Sequence, residues 1–421
     1  MGIFRFQKLC ARSSYSECLF IKSVTKQNRN GIALLSHLRW ISALTVVLSH
    51  VRQGFIGKTN YIPHINSTPN LLVKQQLFGL NGYGHAAVVV FFVLSGFLVG
   101  GKLIKLLKSA NLMRDWRHFL IDRFVRIFVV LWPAALLSAG ICFCLVQLIP
   151  NAPFVKSGGW AYMLPAPLGD DASLNKWAAI VTLLNELVTP TVTCNGPLWS
   201  LAYEWSYYII GLAAVLAWRA CFTAGSILLI VYGVILLVLA AHNQPVILIS
   251  GISWLAGVFA RAASDRDILR SRISQAFGVA LVIAVLLIDH KHPLPDLFLG
   301  TALAIMVAHS NWKNFNFGAR LGEQLAAFSY SLYLVHFPML LGVMGIFYAL
   351  GLLPHPMRFG AESLVIAAAT TVFLVLSARA FAWATEDRTS TVRRIILNLT
   401  GNPGSRPVTP LVQAHEAVAK E

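Results

Sequence analysis

The chain has 421 residues, 57% hydrophobic and 12% charged, with 34 Lys and Arg against 17 Asp and Glu for a formal net charge of +17. A soluble globular chain carries roughly 45–50% apolar and about 25% charged residues, so a water-soluble enzyme is excluded; 25 Phe, 11 Trp and 11 Tyr exclude a disordered chain as well. The basic excess has two readings, a nucleic-acid surface or Lys and Arg retained in the cytosolic loops of a membrane protein, and the placement of the charges decides between them.

In chain order, residues 1–32 are basic and polar and lack a separate apolar core with a cleavage site, which predicts a cytosolic extension and not a signal peptide. Ten apolar runs follow, each near the ~20 residues that cross a bilayer as helix: 33–51, 84–101, 127–149, 198–218, 223–241, 246–260, 275–289, 296–309, 325–350 and 362–385. Between the third and fourth lies one long segment, 150–197, with a helix-like run at 175–188; it is expected to cap an external site. A short tail, 386–421, ends the chain.

With the N-terminus in the cytosol, 25 Lys and Arg fall on the cytosolic side and seven on the other, while Arg39 and Arg379 lie inside spans. That asymmetry predicts an all-α integral membrane protein of about ten transmembrane helices with both termini cytosolic. The membrane domain is then 33–385, and the net charge reports orientation. Of six cysteines only Cys194 falls on the outer side, so no disulfide framework is expected. No Cys/His spacing suggests a metal. Asn66 and Asn398 head glycosylation sequons of the kind that arise by chance at this length.

Titratable groups inside apolar spans are expensive and mark functional sites by default. Five strings carry them or border them. Arg39 and His50 are eleven residues apart, three helical turns and about 16 Å along one face; the competing reading is an Arg reaching the inner headgroups and a His bonded to a neighbouring helix. Phe91-Phe92-Val93-Leu94-Ser95-Gly96-Phe97 offers small residues for close helix approach, and Ser95 is expected to pack. Arg123 and Arg126 share a helix face and form a fork suited to phosphate, against a simple role in cytosolic anchoring. Trp199-Ser200-Leu201-Ala202-Tyr203-Glu204 places a carboxylate in an aromatic span, where it needs a partner or a proton. Ser329-Tyr330-Ser331-Leu332-Tyr333-Leu334-Val335-His336 places a second imidazole near mid-depth.

In this order the five strings resemble the acyltransferase 3 family, the multi-spanning membrane O-acyltransferases that include O-antigen and exopolysaccharide acetylases, from about residue 35 to 388. Departures are Trp40 where the family usually has Gly, Trp205 where a second acid is common, and Glu386 without the proline that tends to follow it. The resemblance implies transfer of an acyl group, usually acetyl from acetyl-CoA, to a sugar hydroxyl, at a bacterial inner (plasma) membrane. A thioester is already activated, so a base, a positioned donor and neutralisation of the oxyanion suffice. His50 is the expected base, because imidazole titrates near neutrality; Glu204 is expected to fix its tautomer as in triads. His336 is a second base or an acceptor ligand. Arg39 is assigned to the acyl arm or the oxyanion, and Arg123 and Arg126 to the phosphates of acyl-CoA. The expected partners are acyl-CoA, a carbohydrate or lipid-linked glycan, membrane lipid and, as an open option, a second copy of the chain; nucleic acid and metal are not among them. The alternative is a transporter or glycan flippase without acyl-transfer chemistry, although the inverted repeats and broken helices usual there are not visible.

Overall fold

The computed structural model describes residues 15–56, 71–156, 163–269, 271–286, 293–309, 312, 316–353, 355–357 and 360–400. Among the described residues the regular structure is helical, and only two isolated bridges, Ile56 with Met357 and Asn185 with Thr189, pair extended backbone. Residues 1–14, the Asn66 sequon and the tail beyond Thr400 lie outside the described residues.

Among the described residues each apolar run of the sequence falls in a helix, the run at 325–350 across two of them. The helices are α1 (Tyr15–Phe55), α2 (Leu71–Ser95) continuing through a π-helical turn at Gly96–Gly100 into α3 (Gly101–Leu107), and α4 (Leu112–Leu148). After the intervening segment, which contains α5 (Leu174–Thr182), come α6 (Trp199–Trp218), α7 (Ala224–Asn243), α8 (Pro245–Asp265), α9 (Arg272–Leu286) and α10 (Pro293–Ala308). The last are α11 (Ala319–Ala326), α12 (Ser329–Ala349), α13 (Ala361–Ala384) and α14 (Thr389–Leu399).

Seven stretches among the described residues are long and apolar enough to cross a membrane, and α9 with most of α10 is apolar but shorter. Outward-facing Leu136, Leu228, Phe259 and Leu376 are 65–75% exposed, which is tolerable where the surrounding solvent is hydrocarbon. The chain is an integral membrane protein. Helix α6 has 20 residues, enough to span, yet carries Glu204 and three tyrosines; most of it is buried, so its polar groups face protein instead of lipid.

Small residues set the closest helix crossing. A Cβ on Gly96 would lie 1.9 Å from the Trp254 carbonyl oxygen, and one on Gly257 would lie 2.1 Å from that of Val93. Each glycine meets the other helix's backbone, which no rotamer change relieves. Gly257→Ala is therefore expected to exceed the ~1–3 kcal/mol usual for overpacking, seen as a lowered thermal midpoint or loss of folded protein in detergent; Gly140→Ala, which meets nothing within 4 Å, is the control.

Two expectations are corrected. The run at 175–188 is helical only to Thr182, because Leu183 takes the left-handed conformation (φ 58°, ψ 35°) and closes the helix. A disulfide joins Cys142 to Cys194, with Cα atoms 5.9 Å apart. Cys142 lies within an apolar run, which by sequence alone hides its place near an end of the span. It sits, however, two turns from the end of α4 at which the 163–197 segment packs, so Cys194 reaches it.

Candidate active site

Helices α1 and α12 pack against each other and bring their two histidines together. His50 Nδ1 lies 3.0 Å from His336 Nε2, with ring centroids 5.1 Å apart and planes inclined by 27°. His336 is fully buried, and its Nδ1 is 2.8 Å from the Tyr333 carbonyl and 3.1 Å from that of Leu332. A carbonyl only accepts, so His336 Nδ1 carries the proton and its Nε2 is an acceptor in the neutral ring. His50 Nδ1–H then donates to it, which leaves His50 Nε2 with a free lone pair.

The chain arranges this pair through a proline. Pro338 has no N–H for the Leu334 carbonyl one turn earlier; Asn195 Nδ2 donates to that carbonyl instead at 2.9 Å, and to Ser138 Oγ at 2.9 Å. Asn195 is fully buried beside the disulfide-bonded Cys194. The 193–198 turn is thereby pinned to α12 at the level of His336.

His50 lines a cavity of about 440 Å³ with Gln53, His85, Glu186, Trp199 and Tyr203, roofed by residues of the 163–197 segment. A second cavity, of about 340 Å³, is lined by Arg39, Lys102, Arg123, Arg126, Glu204 and Tyr208. Both are bounded by Val88 and Tyr333. Along α1 the order is Arg39 then His50; along α12 it is Tyr330, Tyr333, then Phe337. The cavities therefore stack along the bundle, separated at the Val88–Tyr333 level. Tyr333 is held there by donating to the Pro197 carbonyl at 2.9 Å, with Ser200 Oγ 2.7 Å away.

In the arginine cavity, Arg39 reaches Ser329 Oγ at 3.5 Å. Arg126 sits over the Tyr330 ring, 5.9 Å from its centroid, and 3.8 Å from the buried Glu386 carboxylate. Glu386 is itself fixed by the Ser331 N–H at 3.0 Å and hydroxyl at 2.9 Å. Arg123 lies 6.0 Å from the centroid of Tyr208, and its buried Nε has no hydrogen-bond partner among the described residues. A buried donor of that kind calls for an acceptor. Glu204 accepts from Tyr208, which is bonded to Ser95 Oγ at 2.9 Å; Trp254 Nε1 donates to the same serine at 3.3 Å.

The six candidate residues thus divide into two groups. His50 and His336 are together; Arg39, Arg123, Arg126 and Glu204 are together in the neighbouring cavity. Glu204 does not occupy the position expected of it at His50, where the bonded partner is His336, and His336 lies behind His50, absent from the cavity wall. Sequence reasoning missed the Glu386 clamp on Arg126 and the Asn195–Leu334 bond. Pro338 following His336 was the available signal for the second. His336→Ala removes the acceptor that fixes the His50 tautomer. Partners that orient metal-ligating histidines contribute about 10–100-fold, and kcat is expected to fall by at least that factor with donor KM unaltered.

A family model described as an acyltransferase domain matches residues 32–384. No curated protein and no solved structure gives a match.

Proposed function

This chain belongs to the acyltransferase domain family, and we propose that it moves an acetyl group from acetyl-CoA to a hydroxyl of a carbohydrate or lipid-linked glycan across a bacterial inner membrane. The observation that carries the proposal is the pair of stacked cavities of opposite chemistry meeting at Val88 and Tyr333. One collects four cationic side chains, as a polyphosphate donor requires; the other presents an oriented imidazole, as a hydroxyl nucleophile requires.

In the proposed orientation ten helices span, both termini are cytosolic and the arginine cavity opens to the cytosol, where 25 Lys and Arg gather. Arg123 and Arg126 bind the donor phosphates, and Arg39 lies along the acyl arm. The thioester carbonyl reaches the Val88–Tyr333 level, while the acceptor enters beneath the 163–197 segment. His50 Nε2 takes the hydroxyl proton as the oxygen attacks the carbonyl carbon; the carbon–sulfur bond breaks, and the CoA thiolate leaves and takes the proton back from the His50 imidazolium. His336 holds the imidazolium in place through its Nε2 lone pair. No metal or nucleotide hydrolysis is needed, because the thioester supplies the driving force.

The test is purified protein in lipid nanodiscs with acetyl-labelled CoA and a mixture of glycans, read by mass spectrometry. A product heavier by one acetyl group, formed with free CoA in equal amount, supports the proposal. Glycan movement across vesicles without acetylation favours the flippase alternative and overturns it.

A further inference from the structure

The histidine cavity contains a second imidazole that the mechanism above does not use. His85 comes from α2, next to Gly84, and α2 crosses α1 so closely there that a Cβ on Gly84 would lie 2.7 Å from Ser49 Oγ. Ser49 precedes His50, so His85 and His50 flank one crossing point, and both line the same cavity. His85 Nε2 lies 2.9 Å from Asp296 Oδ2 on the first turn of α10. A carboxylate accepts, so Nε2 carries the proton. The ring stacks on Trp199, centroids 5.7 Å apart and planes inclined by 18°. Its side chain is 43% exposed while that of Asp296 is 16% exposed. An imidazole oriented by a largely buried acid, backed by an indole and presented at a cavity wall, is built to contact something in that cavity.

The cavity's charge narrows what that something is. Among the described residues no Lys or Arg lines it, in contrast to the four cationic residues of its neighbour. It holds the Glu186 carboxylate, which accepts from the Thr191 N–H at 2.9 Å on a backbone in the left-handed region (φ 67°). A non-glycine residue held there is strained, and such strain concentrates at ligand sites.

We propose that His85, oriented by Asp296 and stacked on Trp199, positions the acceptor in the histidine cavity, and that the cavity selects uncharged or amino-bearing polyhydroxy acceptors over anionic ones. This rests on the acyl-transfer reading above. His85 hydrogen-bonds a hydroxyl near the one that His50 deprotonates; Glu186 repels a carboxylate or phosphate and attracts an ammonium group. His85 is a positioning residue, and no bond is made or broken at it.

The experiment supplies nanodisc-embedded wild type, His85→Gln, Asp296→Asn and Glu186→Gln with acetyl-CoA and, separately, a methyl glucoside, the corresponding glucosaminide and the corresponding uronate. Wild type is expected to acetylate the first two at least tenfold more efficiently than the uronate. His85→Gln is expected to raise the glucoside KM at least tenfold with acetyl-CoA KM unchanged, and Asp296→Asn to shift it in the same direction by less. Glu186→Gln is expected to narrow the glucoside-to-uronate ratio at least threefold. Equal use of the uronate by wild type, or a His85→Gln protein whose acceptor KM is unmoved or whose donor KM rises in step, overturns the proposal while acetyl transfer itself persists. Failure of wild type to acetylate any acceptor is a different result: it removes the acyl-transfer reading, and the proposal with it. Should His85→Gln not fold, Asp296→Asn and Glu186→Gln make the same two comparisons.

Discussion

His50→Ala is expected to reduce acyl transfer by about 10²–10⁴-fold, the range associated with losing a positioned general base, while leaving acyl-CoA affinity within twofold of wild type. The second half of that statement follows from the cavities. His50 lines the chamber beneath the 163–197 segment, whereas the cationic groups line the one beyond Val88 and Tyr333, so truncating the imidazole removes no contact to a donor phosphate. Single-turnover transfer and equilibrium binding of acetyl-CoA, measured on one preparation, separate the two quantities. Stability is a necessary control, since His50 also packs edge-on against Phe337 at 5.1 Å and leaves His336 Nε2 without its donor when removed. His50→Gln keeps much of that volume and offers an amide to His336. Both variants are expected to lose transfer; retention of wild-type transfer by either one removes His50 from the mechanism.

His50 and His336 illustrate how far a sequence carries such a site. Both were visible as titratable groups inside apolar runs, because hydrocarbon makes an unpaired polar side chain costly and so makes its presence informative. Their mutual bond was not visible. It depends on the rotation of α1 against α12, which is set by packing across 286 residues of separation and leaves no periodic mark on either segment. Glu204 went the other way: a carboxylate near a histidine in family order suggests a triad, but its helix turns it toward Tyr208 and the arginines. The helices themselves were legible from hydropathy and length. Helix α6 was legible too, although its polar residues only make sense once its burial by neighbouring helices is seen. The disulfide was hidden for a related reason. Apolar character marks where a span runs without marking which end of it another segment can touch.

Arg123→Ala and Arg126→Ala are expected to weaken acyl-CoA binding alike but to differ in stability, and the difference follows from their partners. A hydrogen bond to a charged group contributes about 1.5–3 kcal/mol, or roughly 10–150-fold in affinity, so either substitution should raise the dissociation constant for acetyl-CoA within that range. Arg126 also stands 3.8 Å from Glu386, whose carboxylate is buried. Removing the guanidinium leaves that charge with the Ser331 N–H and hydroxyl and the more distant Arg39, and a poorly compensated buried charge is destabilising. Arg123 has no such dependant: its buried Nε lacks a partner among the described residues, so removing it relieves a desolvation penalty that offsets the ~0.5–2 kcal/mol of its placement over the buried Tyr208 ring. Arg123→Ala should therefore lose donor affinity with little change in thermal midpoint, and Arg126→Ala should lose both. Arg126→Lys, which keeps a cation near Glu386, should restore stability more fully than affinity, because a point charge cannot reproduce a bidentate grip on phosphate. Unchanged acetyl-CoA affinity in the Arg123→Ala/Arg126→Ala double variant, measured in protein that remains folded, would place the donor phosphates elsewhere.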